Sequence, residues 1–235
     1  MQNFNSVSSR SAGYDVDTGL RNYFLGIYKH MTGALLITGA VSWWAAANLL
    51  PFLHGPIHWI VALLPLLFVI FLGNAISNLS MTTVYAVFYL FAACMGVSLC
   101  SIFATFTSAS IARAFFISAG TFAAFSIYGY TTRRDLTSIG GFLFMGLIGV
   151  VIAGLVNLFF ASTLVSFVIS CITVLVFVGF TAYDTQQLKE EYLTNGNIYG
   201  FSSQDRSSIH GALQLYLDFI NIFVSIVNLT GIKRD

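Results

Sequence analysis

Asp218 is the one formal charge in GALQLYLDFINIF, residues 211–223, where it stands among side chains that prefer oil to water. Asp184 closes a similar apolar run in VGFTAYDTQQLK. A carboxylate near the middle of a membrane helix costs about 2.5–3.5 kcal/mol on insertion scales. Ionisable groups in such places are therefore candidates for function by default. Asp218 also has company. His210, Gln214, Asp218, Asn221, Ser225 and Asn228 recur at spacings of four, four, three, four and three, which sets them along one face of a helix. In lipid that face must turn toward protein or toward a water-filled path.

Two carboxyls sharing one site cannot both ionise cheaply, so they titrate as a unit. Such a pair holds a proton or, through its oxygens, a hard cation such as calcium. Either event changes the repulsion between two helices, which is a physical basis for a pH-gated cation path. A plainer reading stays open for each residue. Asp218 would be a hydrogen-bonded group that fixes helix register, and Asp184 a solvated residue at the membrane edge or a cap of the following loop.

The chain that must position these residues has 235 residues, 57% of them hydrophobic and only 8% charged. Ordinary soluble domains carry about 25% charged residues, and a soluble chain this apolar could not cover its own core. The composition predicts an all-α polytopic membrane protein. Seven apolar runs have spanning length, at 31–50, 57–77, 81–103, 110–130, 139–160, 163–183 and 208–230. Residues 1–28 lack an apolar centre and are predicted to be a polar cytosolic tail, not a signal peptide. Residues 29–235 then form one seven-helix transmembrane domain. The polar, turn-rich stretch at about 184–207 is predicted as a solvated cytosolic loop.

The basic residues set an orientation. Arg10, Arg21, Lys29, Arg133, Arg134, Lys189 and Arg206 fall on one side, and Arg113, Lys233 and Arg234 on the other. The larger group faces the cytosol, which puts the N-terminus inside and the C-terminus outside. Trp43, Trp44 and Trp59 flank the first outer loop, where an aromatic belt is expected. Residues 30–112 contain no Lys or Arg, so the first three spans cannot supply a cation to a buried carboxylate. Arg133 and Arg134, on the side of Asp184, are the candidate ion-pair partners, unless they only set topology. Lys189 lies five residues beyond Asp184.

Other chemistry is poorly supported. The net charge of +1 argues against nucleic acid as a partner. Cys94, Cys100 and Cys171 sit within apolar runs and read as packing residues. His30, His54, His58 and His210 lack the spacing of a zinc site. No phosphate-binding loop or dinucleotide fingerprint is present, so no resident cofactor is expected. Gly146, Gly149, Ala153 and Asn157 form a small face on the fifth span that reads as helix packing.

Three stretches carry a family resemblance: SIYGYTTRRDLTSIGGFLFMGLIGVVIAGLVN, VFVGFTAYDTQQLK and GALQLYLDFINIF. Together they resemble the bacterial branch of the Bax inhibitor 1 family, over residues from about 20 to the C-terminus. The resemblance implies seven spans, with six outer helices enclosing a central C-terminal one. It also implies a pH-sensitive calcium leak controlled by two aspartates, which match Asp184 in AYDTQ and Asp218 in LYLDF. It places the chain in a bacterial inner membrane. Eukaryotic members suppress cell death from internal membranes, and some bacterial members are linked to a membrane-anchored ATP-dependent protease.

Two other functions compete with the leak. One is a non-conducting membrane regulator that binds a protein partner. The other is an intramembrane aspartyl protease, for which Tyr183-Asp184 fits the first motif. The second motif there needs glycine beside its aspartate, and Asp218 follows Leu215, Tyr216 and Leu217. A later Pro-Ala-Leu segment is also required, yet the only prolines are Pro51, Pro56 and Pro65. No enzymatic activity is therefore expected.

Overall fold

A computed structural model describes residues 3–49, 80–195 and 201–234, together with the isolated positions 52, 61, 64, 65 and 68. The described residues form seven helices and no strand. They are α1 (Asn3–Asn48), α2 (Met81–Ser98), α3 (Cys100–Thr105), α4 (Ser108–Thr131), α5 (Thr137–Phe160), α6 (Thr163–Asn195) and α7 (Phe201–Thr230). Six stretches among them are long and apolar enough to cross a membrane: Thr18–Asn48, Met81–Thr105, Ser108–Thr131, Thr137–Phe160, Thr163–Thr194 and Asp205–Thr230. The expected span at 57–77 lies almost wholly outside the described residues, as do Trp59, His54 and His58.

Local chemistry explains where the helices begin and break. The Ser80 hydroxyl accepts from the Thr83 N–H at 3.3 Å and caps α2. The Thr107 hydroxyl accepts from the Ser110 N–H at 3.4 Å and caps α4. α2 and α3 are one span interrupted at Leu99. There the Ser98 hydroxyl reaches back to the Cys94 carbonyl at 3.2 Å and across to the Val61 carbonyl at 2.6 Å, a pattern that bends helices. α5 ends on Ala161, at φ 47° in the left-handed region. Asn157 holds that turn by accepting from the Ser162 N–H at 3.1 Å and donating to the Ser166 hydroxyl at 2.7 Å.

Two expectations need correction. The N-terminal stretch does not stay apart from the bundle up to residue 28. α1 runs through it, and Leu20, Tyr23, Phe24 and Ile27 are buried in the core. With Met31 and Ala34 they recur at helical spacing, while Arg21 and Lys29 occupy the exposed face and conceal the pattern from a hydropathy count. The loop expected at 184–207 is also much shorter. α6 continues to Asn195 and α7 begins at Phe201, because DTQQLKEEYL is rich in strong helix formers and its Thr185, Gln186 and Leu188 are buried.

α7 packs against α1, α2, α4 and α6, whereas α5 packs on α6 and buries only Leu143. In the apolar 18-residue stretch of α7, 67% of the residues are buried, against 33% or less in the corresponding stretch of every other described span. Ala212, Leu215, Tyr216, Ile222 and Val227 are fully enclosed. Gly19, near the start of the first span, and Lys233, after the last, lie at opposite ends of the bundle. Gly19 touches Tyr192 near the end of α6. Lys233 pairs with Phe106 just before α4, one helix length of about 36 Å away.

Backbones meet most closely between α4 and α6. A Cβ on Gly129 would collide with the Ala182 carbonyl, whereas one on Gly149 would meet nothing within 4 Å. Of the small face expected on the fifth span, Gly146 packs on Val176, but Gly149 is exposed. Gly129→Ala is therefore expected to destabilise the fold by about 1–3 kcal/mol. Gly149→Ala should be neutral or slightly stabilising. Reversible unfolding in detergent micelles measures both, and equal effects would contradict this account of the packing.

Candidate functional site

The carboxyls of Asp184 and Asp218 come together between α6 and α7. They lie within hydrogen-bonding reach of each other, and the Gln214 amide donates to Asp184. Asp184 is 5% exposed and Asp218 is 4% exposed. An ionised carboxylate only accepts hydrogen bonds, so a bond between two carboxyls requires a proton held between them. Asp218 also has one oxygen, Oδ2, that is fully buried and has no partner.

The rest of the predicted stripe divides by depth. Ser225 is buried, Gln214 and Asn221 are half-buried, and His210 and Asn228 at the two ends are exposed. Asn221 donates to the Leu217 carbonyl of its own helix at 2.8 Å. The inward part of the stripe thus runs from Gln214 through Asp218 to Ser225.

No cation pairs with either carboxyl among the described residues. Arg133 and Arg134 are exposed in the turn between α4 and α5, and neither is brought to Asp184. The turn that carries them is held by other contacts in this arrangement. Gln186 donates to the Arg134 carbonyl at 2.8 Å and accepts from the Leu136 N–H at 2.8 Å. Lys189 donates to the Tyr130 carbonyl at 2.8 Å and stands 5.1 Å from the Tyr130 ring centroid. That places a cation at the C-terminal end of α4, where a helix dipole favours one.

Sequence reasoning missed these roles by treating DTQQLK as the start of a loop. Read as helix, its positions diverge by 100° per residue, so each neighbour of Asp184 faces a different element. Thr185 takes part in a hydroxyl chain with Ser126 at 3.0 Å and Tyr28, which is 2.6 Å from Ser126. On another side of α7, Thr38 donates to the Ala92 carbonyl at 2.9 Å and lies 2.7 Å from the Tyr216 hydroxyl. With its own proton committed to Ala92, Thr38 can only accept from Tyr216. That contact joins α1, α2 and α7 through one fully enclosed phenol.

Among the described residues, no group of three or more His, Cys, Asp or Glu side chains could hold a metal.

Comparison with known proteins adds a family. A family profile described as "Inhibitor of apoptosis-promoting Bax1" matches residues 20–235. The chain is 43% identical over 223 residues to "Inner membrane protein YbhL" of Escherichia coli strain K12, covering 92% of this chain and 94% of that protein. It is 38% identical over 234 residues to "Uncharacterized protein RP147" of Rickettsia prowazekii, covering 98% of each. It is 34% identical over 221 residues to "Uncharacterized membrane protein SpyM3_0260" of Streptococcus pyogenes, covering 92% of this chain and 94% of that protein.

The clamp by Gln186 makes its own prediction. Gln186→Ala strands the N–H of Leu136, itself a buried residue. The expected loss is about 1–3 kcal/mol of stability, read from unfolding in detergent. Gln187 is exposed, so Gln187→Ala is the control and should change little. A Gln186→Ala protein as stable as the parent would mean that the turn does not depend on the clamp.

Proposed function

We propose, from the premise that this chain belongs to the family of inhibitors of apoptosis-promoting Bax1, that it is a pH-sensitive cation leak of a bacterial inner membrane, with calcium as the ion carried. One observation carries the reading: two enclosed carboxyls on neighbouring helices in contact with each other, with no cation paired to them among the described residues.

Loss of the shared proton places two negative charges side by side. At about 4 Å and an effective dielectric of about 20, their repulsion is about 4 kcal/mol. A full swing of a two-state element from 1:99 to 99:1 needs about 5.5 kcal/mol. The pair alone therefore moves the balance between a closed and an open arrangement of α6 and α7 most of the way. The same two charges attract a divalent cation. Calcium takes six to eight oxygen ligands, and Asp184, Asp218 and Gln214 supply only part of that shell. An ion that keeps much of its water is bound weakly and leaves again, as a leak requires. No catalytic step is assigned to either aspartate.

Within this reading, six helices, including one at 57–77, surround the C-terminal helix. The N-terminus is cytosolic and the C-terminus lies outside. The placement of Gly19 and Lys233 at opposite ends of the bundle supports an odd number of crossings. A second reading, a non-conducting regulator with a membrane-protein partner, draws on α5, which exposes Phe142, Phe144, Met145, Ile148, Ile152 and Leu155. Flux separates the two, because a leak passes cations in pure liposomes and a regulator does not.

Two outcomes are expected. Asp218→Asn keeps the size and polarity of the side chain but removes its titration. Calcium flux into liposomes should then lose most of its dependence on pH, and a mutant with the parent's pH profile would remove the pair as the sensor. A reporter that works only in the cytosol, fused after residue 235, should be silent. An active fusion would overturn the orientation or the odd span count.

A further inference from the structure

A second feature lies apart from the carboxyl pair. A groove of about 290 Å³ opens between α1 and α4. Arg21, Leu25 and Tyr28 line it from α1, and Ser126, Ile127 and Tyr130 from α4. Leu25 is 54% exposed and Ile127 is 63% exposed, so the walls are apolar and open outward.

The floor of the groove has a fixed hydrogen-bond direction. Thr185 donates to the Thr181 carbonyl at 2.7 Å, so in its contact with Ser126 it can only accept. The Ser126 proton is thereby committed, and Tyr28 must donate to Ser126. All three hydroxyl protons point inward, and none is free for an occupant of the groove. Arg21 is different. It is exposed, and it makes no ion pair or hydrogen bond among the described residues. It is the one charged residue of the lining. A second positive charge, Lys189, stands over the Tyr130 ring.

Depth and volume select the occupant. Arg21 lies three residues into the span that begins at Thr18. Tyr28 is seven residues further, about 10 Å deeper and on nearly the same face. The groove therefore runs from a cation at the membrane edge to apolar walls further in. About 290 Å³ equals roughly ten water volumes, which suits a phosphate headgroup and the start of a chain but not a whole lipid.

We propose that this groove binds an anionic glycerophospholipid, with its phosphate on Arg21 and an acyl chain laid along Leu25 and Ile127. Basic grooves between membrane helices recognise anionic headgroups in this way. The inference is independent of the leak.

Lipid titration of the purified full chain in detergent tests it, with thermal unfolding as the readout. Dioleoyl phosphatidylglycerol should raise the unfolding midpoint more than dioleoyl phosphatidylcholine does. Inorganic phosphate should give no such increment. Arg21→Gln should weaken the apparent affinity for phosphatidylglycerol about fivefold, whereas Arg113→Gln should leave it unchanged. Ile127→Trp, which fills the groove without touching charge, should also abolish the increment. That variant decides the matter if Arg21→Gln fails to fold. Equal effects of the two lipids on the parent chain, or an increment that survives both groove variants, would overturn the proposal. So would an equal loss in Arg113→Gln, which would indicate general surface charge, or a full response to inorganic phosphate, which would indicate an anion site without a lipid.

Discussion

A carboxyl group cannot face lipid, and most of the architecture follows from placing Asp218 in the middle of an apolar helix. Its cost is tolerable only where protein covers it and a partner shares its proton. α7 is accordingly the most enclosed of the described spans. α6 meets it with Asp184 at the matching depth. That approach depends on small residues. Gly129 lets α4 come against the backbone of α6 at Ala182, two residues before Asp184, and Gly211 leaves room for Leu188 and Ile27. Enlarging either glycine would push apart the helices that hide the carboxyls.

α6 carries the heaviest share of this arrangement within six consecutive residues. Asp184 faces α7, Thr185 faces the hydroxyl chain to α4 and α1, and Gln186 grips the turn between α4 and α5. Leu188 enters the core and Lys189 closes the end of α4. Two of these contacts, those of Thr185 and Gln186, use a neutral side chain bonded to a hydroxyl or backbone group. The Lys189 charge serves a helix end. Among the described residues this leaves the carboxyl pair without a counter-ion.

Six of the seven expected spans and the inner part of the polar stripe were legible from the chain because both depend on one-dimensional patterns. Apolar runs of spanning length, and the four-and-three spacing from His210 to Asn228, survive without any knowledge of neighbours. The ends of the helices were less legible. Hydropathy falls at Lys189 and at Arg21, but a helix does not stop where its outer face becomes charged, and Leu20, Tyr23 and Leu188 stay buried on the inner face. The partners of Asp184 were illegible for another reason. Arg133 and Arg134 lie near it in topology, yet a guanidinium at an exposed turn is already solvated and gains little by desolvating to reach a buried acid. Gln186 fills the space with bonds to the turn's own backbone. Nothing in a single sequence distinguishes that glutamine from Gln187 beside it.

α7 is fastened at its C-terminal end and at mid-helix by different chemistry, and this bears on how it can move. Beyond Thr230 the chain pairs with the segment before α4. The Thr107 N–H donates to the Ile232 carbonyl at 3.0 Å, the Arg234 N–H to the Thr105 carbonyl at 2.8 Å, and the Ile232 N–H to the Ser110 hydroxyl at 3.0 Å. None of these groups titrates. At mid-helix, the tie to α6 at Asp218 runs through carboxyls whose attraction depends on a proton. The tie to α1 and α2, through Tyr216 and Thr38, is again neutral. On the leak reading, a change in protonation therefore releases one contact of three. Both neutral ties flank Asp218 along the helix, Tyr216 two residues before it and the strap at residues 231–234 after it, so on the leak reading they persist on either side of the pair when its proton leaves.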